Sequence, residues 1–293
     1  MKIVFIGTVE LSKKALEKIL EMDGDIIGVC TQKKSNFNSD FSDLTPLCKD
    51  SGIPYKVVEN INSQESVSWI RALNPDIIFC FGWSSLIKKE LLTLPPMGIV
   101  GYHPAKLPQN RGRHPLIWSL ILGLKKSAST FYFMDEDADS GDILSQTDFD
   151  ISHSDDAQTL YTKVTKIALS QIEKFIPQLI DNNYEKVQQN HSLANSWRKR
   201  GKIDGKIDFR MSSEAIYNLV RGLSQPYIGA HIEYKKKDII VWKVKMVENK
   251  QNNIECGKVF ESCKNSFLVK TCDGAIEILE HEFKEIPEIG EYL

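Results

Sequence analysis

Over its first 150 residues the chain alternates short apolar runs with segments of helical period, and this alternation narrows the fold more than any other feature. The runs are Ile3–Ile6, Ile26–Cys30, Tyr55–Val58, Asp76–Phe81 and Ile99–Tyr102. Runs with so little polar interruption suit strands buried on both faces, the habit of parallel sheets. Between them, Ser12–Met22 places Ala15, Leu16, Ile19 and Leu20 on one helical face, and Asp43–Asp50 starts a helix. Ser63–Leu73 has the form of a helix capped by Asn62 or Ser63. Parallel strands are joined by crossovers, so the expected fold class is α/β, a Rossmann-like parallel sheet with flanking helices. Lys33–Asp43, polar and rich in Ser and Asn, is expected to be a mobile loop. Thr130–Met134 and Ile143–Phe149 add strands, and Asp155–Ile180 reads as one long helix.

The pattern then changes. Asp181–Asp208 is polar and reads as a linker. Ser212–Leu223 is an amphipathic helix, followed by β-rich runs at His231–Tyr234, Ile239–Met246, Lys258–Phe260, Phe267–Thr271 and Ala275–Leu279. Such short runs suit a small antiparallel, OB-like barrel. The expected division is a large α/β domain at 1–189, a linker at 190–207 and a β-rich domain at 208–293.

Bulk properties exclude several function classes. The net charge of −2 makes no demand for nucleic acid as a partner. The first residues, MKIVFIGTVE, read as a strand and its turn, not a signal peptide, and no run approaches the ~18 apolar residues of a membrane span. Cys30, Cys48, Cys80, Cys256, Cys263 and Cys272 form no CxxC pair, which points to buried, reduced thiols in a cytoplasmic protein.

Chemistry concentrates in three segments: Gly98–Pro108, Arg111–Pro115 and Asp139–Asp142. His103 stands at the end of an expected strand, where parallel sheets place their chemistry, and Pro104 and Pro108 restrict the backbone after it. A histidine held there suits proton transfer near neutral pH. Asp139 lies in the acidic loop Asp135–Asp142 and can orient the imidazole, while Gly141 suggests a turn with positive φ. The acids do not follow EF-hand spacing, and no metal is expected. Gly7–Glu10 follows the first strand but has neither a GxGxxG nor a P-loop pattern. Thr8 or Ser12 is left to bind a polar ligand group, or Ser12 to cap its helix.

These segments together resemble the formyltransferase family that uses 10-formyltetrahydrofolate. The matching pieces are Phe5–Thr8, Phe79–Ser84, Gly98–Pro108, Arg111–Pro115 and Asp139–Asp142, then Gly205–Asp208, Ile216–Arg221 and Pro226–Ala230. They cover nearly the whole chain, and their order is specific although each alone is weak. The family uses an Asn, a His and an Asp, which fall on Gly101, His103 and Asp139. The resemblance implies attack of a substrate amine on the formyl carbon of the folate, with His103 and Asp139 serving the proton and the oxyanion. Gly101 removes one side-chain donor, a loss that typically costs ~2.7–4 kcal/mol of barrier. A backbone N–H, a water beside Gly101, or the side chain of Asn110 are candidate replacements. The resemblance further implies a folate site near Phe81, Gly82, Trp83, Ser84, Leu86, Asp135 and Asp137.

Two features bear on the amine. From Lys206 to Leu293 there are thirteen Lys and Arg against fourteen Asp and Glu, a net of −1, which argues against a tRNA surface. Trp197–Asp208 resembles the linker of sugar N-formyltransferases acting on nucleotide-linked amino sugars, and Arg198, Lys199 and Arg200 can pair with a diphosphate. Thr8, Arg111, Gly112 and Arg113 complete the expected acceptor side. The expected function is therefore a sugar N-formyltransferase in cell-surface glycan biosynthesis, with a nucleotide sugar and the folate donor as partners. The resemblance leaves room for a homodimer. The alternatives are methionyl-tRNA formylation, a folate or nucleotide-sugar binding protein that lost activity with the Asn, and hydrolysis of the formyl donor by water.

Overall fold

The computed structural model describes residues 1–34 and 39–293. The chain forms two compact units. The first comprises residues 1–115, 127–149 and 162–197; the second comprises 116–126, 150–161 and 198–293.

The first unit is built on a seven-stranded sheet. In chain order its strands are β1 (Ile3–Ile6), β2 (Ile26–Thr31), β3 (Tyr55–Val57), β4 (Ile77–Cys80), β5 (Ile99–His103), then, past a short strand β6 (Arg111–Gly112), β7 (Lys126–Phe133) and β8 (Ile143–Asp150). Helices α1 (Glu10–Glu21), α2 (Thr45–Asp50), α3 (Gln64–Leu73), α4 (Lys89–Leu92), α5 (Pro115–Ile121) and α6 (Ala157–Ile180) connect and follow them. The sheet order is β3-β2-β1-β4-β5-β7-β8. Strands β1 to β5 pair in parallel, as the apolar runs predict, whereas β7 joins β5 antiparallel. The order reverses between β1 and β4, the switch point beside whose carboxyl ends open α/β sheets usually bind ligands. Stacked and edge-on rings of Phe5, Phe79, Phe81, Phe131 and Phe175 fill the core beneath it.

Local sequence choices resolve into distinct jobs. Ser63 caps α3 by accepting from Ser66 N, while Asn62 instead ties the chain after β4, donating to Leu86 O at 2.8 Å and accepting from Lys88 N at 2.8 Å. Of the expected mobile loop Lys33–Asp43, residues 35–38 lie outside the described residues. Its far end is pinned: Glu10 N donates to Asp40 O and Ser42 N to Thr8 O. Cys30, Cys48 and Cys80 are buried, and burial pushes their thiols up to about 12, 11 and 12. Cys263 and Cys272 are exposed, contrary to the expected burial, because they sit in the turns on either side of one β-hairpin strand.

The polar stretch read as a linker is not free chain. Its strand β9 (Ser196–Trp197) pairs in parallel with β6, and Val187 bridges Ile143.

The second unit contains α7 (Ser213–Leu223) and a five-stranded antiparallel sheet of β10 (Ala230–Tyr234), β11 (Lys237–Val247), β12 (Val259–Ser262), β13 (Phe267–Lys270) and β14 (Ala275–His281). The strand order β10-β11-β14-β13-β12 is linear, with β10 and β12 at its ends. Ile216, Leu219, Val220 and Leu223 of α7 bury against Ile232, Val241, Phe267, Ile276 and Ile278. Arg221 is buried here; its guanidinium donates to Asn218 Oδ1 and to the carbonyls of Ser152, His153 and Asp155. It therefore clamps the loop before α6. Among the described residues, no helix is long and apolar enough to cross a membrane.

Candidate active site

His103 ends β5, and its side chain is 6% exposed. Leu107–Pro108 is a cis peptide, and the chain after it turns back over the imidazole. There Asn110, with φ +63, offers its carbonyl to Nε2 of His103 at 2.7 Å. A carbonyl can only accept, so Nε2 carries the proton. Nδ1 is then the nitrogen left for proton exchange, and it faces Asp139 Oδ2 at 3.6 Å.

Asp139 is held from three sides. Gly112 N donates to Oδ2 at 2.8 Å, Tyr132 Oη donates to Oδ1 at 2.7 Å, and its own carbonyl accepts from Gln189 Nε2 at 3.0 Å. Gly112 has φ +99, and a Cβ there would stand 2.3 Å from Trp197 O, so only glycine lets β6 lie against β9 and aim its N–H at the carboxylate. The left-handed residue of the acidic loop is Asp139 itself, with φ +56, and not Gly141. Gly141 is required for another reason, because an added Cβ would lie 1.9 Å from Phe133 O. Ser140 Oγ bonds Asp135 Oδ1 and the Asp137 carbonyl, closing the loop on itself.

Gln189 was invisible in the sequence. It is 4% exposed and donates to the carbonyls of both Asp139 and Gly141, at 3.0 and 2.7 Å. Its Oε1 accepts from Arg111 at 2.6 Å. The same Arg111 nitrogen lies 3.1 Å from His191 Nδ1, so this guanidinium, expected on the acceptor side, is spent on holding Gln189 and its neighbours. Asn195 completes the frame by accepting from Asn110 N at 2.8 Å. No periodicity or motif in the sequence marks these residues. Replacing Gln189 with Leu is expected to lower kcat roughly tenfold with little change in KM, because the loop carrying Asp139 loses two bonds. Steady-state kinetics on the variant checks this, and an unchanged kcat would count against the clamp.

The segment after β4 is the second wall. Phe81 is 1% exposed and its ring is core; its N–H bonds Ile6 O and its carbonyl accepts from Ser12 Oγ. Ser12 also accepts from the N–H groups of Thr8 and Val9 at 3.1 Å, so it is an internal staple and not a ligand group. Thr8 is buried, and its Oγ1 has no partner among the described residues. Gly82 turns the chain with φ +70. Beyond it, Trp83 has a buried indole N–H with no hydrogen-bond partner among the described residues, and Leu86 is 60% exposed.

A histidine and a carboxylate at this edge fit several transferases, and the comparisons with known proteins decide among them. The model of the formyl transferase family matches residues 1–175, and that of the formyl transferase C-terminal domain matches residues 200–292. The chain belongs to the formyl transferase family. Methionyl-tRNA formyltransferase of Clostridioides difficile (strain 630) is 30% identical to it over 299 residues, covering 100% of this chain and 96% of that one. Two crystal structures share the fold with a TM-score of 0.71. WlaRD, a sugar 3N-formyl transferase studied with dTDP and 5-N-formyl-THF, is 22% identical and covers 98% of this chain and 99% of its own. The N-formyltransferase of Helicobacter canadensis, in complex with folinic acid and dTDP-3-aminofucose, is 20% identical and covers 96% and 99%.

In this formyltransferase the second unit holds Arg198 and Arg200, the bases expected to meet a diphosphate. Arg198 makes two bonds to the Asp204 carboxylate, at 2.5 and 2.9 Å, which hold that carboxyl well below its ordinary range. Arg200 is half-buried, bonds the Asp204 carbonyl and lies 4.7 Å from the Trp118 ring centroid. Arg198 is thus already matched by a carboxylate. Arg113 is exposed.

Proposed function

We propose that this formyltransferase moves a formyl group from 10-formyltetrahydrofolate to the amine of a nucleotide-linked amino deoxysugar, such as a UDP- or dTDP-linked 4-amino-4,6-dideoxy sugar. The observation that carries the choice of acceptor is how the second unit spends its bases. Lys202 pairs with Asp238 at 2.5 Å, Lys206 with Glu233 at 2.5 Å, Arg210 with Asp208 at 2.5 Å, Lys243 with Glu280 at 3.2 Å and Lys235 with Glu291 at 3.5 Å. Binding to tRNA draws on unpaired cations that neutralise phosphates and release counterions. Cations matched locally in this way gain little by that route. A small anionic ligand needs only one or two bases, for which Arg200 is the second unit's candidate.

Transfer joins the acceptor nitrogen to the formyl carbon, breaks that carbon's bond to the folate nitrogen and moves one proton from the first nitrogen to the second. His103 handles that proton through Nδ1, since Nε2–H stays on Asn110 O. Asp139 stabilises the imidazolium while it lasts. Gly82, Trp83, Ser84 and Leu86, with the main chain of Asp135 and Asp137, form the donor side. The orphaned indole N–H of Trp83 and the exposed Leu86 suit a flat, heteroatom-rich ring such as a pterin. Phe81 shapes that wall from the core, and Thr8, Gly112 and Arg113 lie on the acceptor side.

Methionyl-tRNA is the second reading, favoured by the full-length likeness to the C. difficile enzyme. Release of tetrahydrofolate from 10-formyltetrahydrofolate separates the two. Turnover is expected with dTDP-4-amino-4,6-dideoxyglucose or its UDP counterpart and not with methionyl-tRNA. At 100 times its dissociation constant the nucleotide sugar also adds ~2.7 kcal/mol of stability, readable as a thermal shift. Formylation of methionyl-tRNA together with salt-sensitive tRNA retention would replace the sugar reading.

A further inference from the structure

Position 101 is glycine where the family resemblance implies Asn, and the structure shows what uses the room. Gly101 on β5 lies directly opposite Tyr132 on β7. Opposite residues of an antiparallel pair share a face, and residues 101 and 103 share one because side chains alternate along a strand. A Cβ built on Gly101 would stand 3.1 Å from Tyr132 Cζ, 3.2 Å from its Cε1 and 2.9 Å from Met134 Cγ. The phenol ring therefore occupies the place a side chain at 101 would take, and leaves no room there for the water considered as a substitute donor. Crossing that place, the ring carries its hydroxyl to Asp139 Oδ1 at 2.7 Å. The other carboxylate oxygen is left to accept from Gly112 N and to face His103 Nδ1. Tyr132 is 3% exposed. Burial, with Asp139 beside it, raises the phenol well above its ordinary value, so it remains a donor across the working pH range.

We infer that Tyr132 is a positioning residue for formyl transfer, admitted by Gly101, which fixes the Asp139 carboxylate in the orientation His103 needs. The polar group absent from position 101 is answered from the opposite strand, and glycine is the residue that permits it. Without the hydroxyl, Asp139 loses the bond that stops its carboxylate rotating, so the imidazolium meets a less ordered partner in the transition state. Ground-state contacts to donor and acceptor are untouched, which places the loss in kcat and not in KM. The inference rests on His103 and Asp139 being the transfer pair and does not depend on which amine accepts.

The test uses the full-length enzyme, 10-formyltetrahydrofolate and whichever acceptor the wild type formylates, the nucleotide sugar or methionyl-tRNA. Tyr132→Phe is expected to lower kcat roughly ten- to a hundredfold, with both KM values and the melting temperature near wild type. Gly101→Asn, which restores the family residue, is expected to lose activity and to melt at least about 4 °C lower, because the new side chain meets the ring. Gly101→Asn/Tyr132→Ala, which gives the Asn its room, is expected to recover both activity and melting temperature relative to Gly101→Asn alone. A wild-type kcat in Tyr132→Phe, or a rate increase in Gly101→Asn alone, would overturn the inference. His103→Ala serves as the control. If it stays active, the assignment of the transfer pair fails and this inference with it; if it is inactive while Tyr132→Phe is unaffected, only the role of Tyr132 fails.

Discussion

Replacing His103 with alanine is expected to slow formyl transfer by roughly 10²–10⁴-fold, the usual contribution of a positioned acid–base group. Binding of the donor should change little, because a proton-transfer contact strengthens mainly in the transition state. The measurement is tetrahydrofolate release under saturating donor, with donor affinity followed separately by fluorescence quenching. The variant should remain folded, since the segment after His103 is also fastened by Gln146, which donates to Leu107 O at 3.0 Å. A His103→Ala enzyme within fivefold of wild type would remove the proton-handling role and leave positioning alone as the source of rate.

The second large effect is geometric. In Gly141→Ala the new methyl would fall 1.9 Å from Phe133 O and 3.0 Å from Phe133 C, both backbone atoms. Phe133 N also donates to Asp142 O at 2.8 Å, so the two chains are held together at this point and neither can yield alone. The hairpin must open, and Asp139, two residues away, moves with it. A misplacement of ~1 Å at a catalytic group is enough for about a 10²-fold loss in rate. Overpacking of this kind also costs ~1–3 kcal/mol of stability. Urea unfolding and kcat are expected to fall together. An Ala variant with normal stability and rate would mean that the loop closes by another path.

How far the sequence led can be judged from particular residues. The parallel strands were legible because burial on both faces leaves a continuous apolar run, as in Ile77–Cys80. His103 was legible because its glycine and proline frame is local in the chain. Ser12 is open in the sequence between a ligand group and a helix cap, and Arg111 is expected there on the acceptor side. What each of them bonds instead, the Phe81 carbonyl and the Gln189 side chain, lies 69 and 78 positions away. The positive φ was placed at Gly141, since glycine adopts it most readily, yet Asp139 carries it and Gly141 answers a close contact. Arg198 suffers the converse problem: a base read as available for phosphate is matched by Asp204, six residues on.

By itself the sequence determined the α/β class and the family, and nominated His103 and Asp139 as the pair. These follow from periodicity and from motifs whose parts lie close along the chain. The tertiary structure alone decided how that pair is held, through Gln189 reaching back 50 residues to Asp139 and Tyr132 crossing the strand pair at Gly101. The reason is physical. A hydrogen bond or a collision between distant segments depends on where the folded backbone brings them, and no local pattern of polarity carries that distance. Gly101, which in sequence is a missing donor, is in the folded protein the space through which another donor arrives.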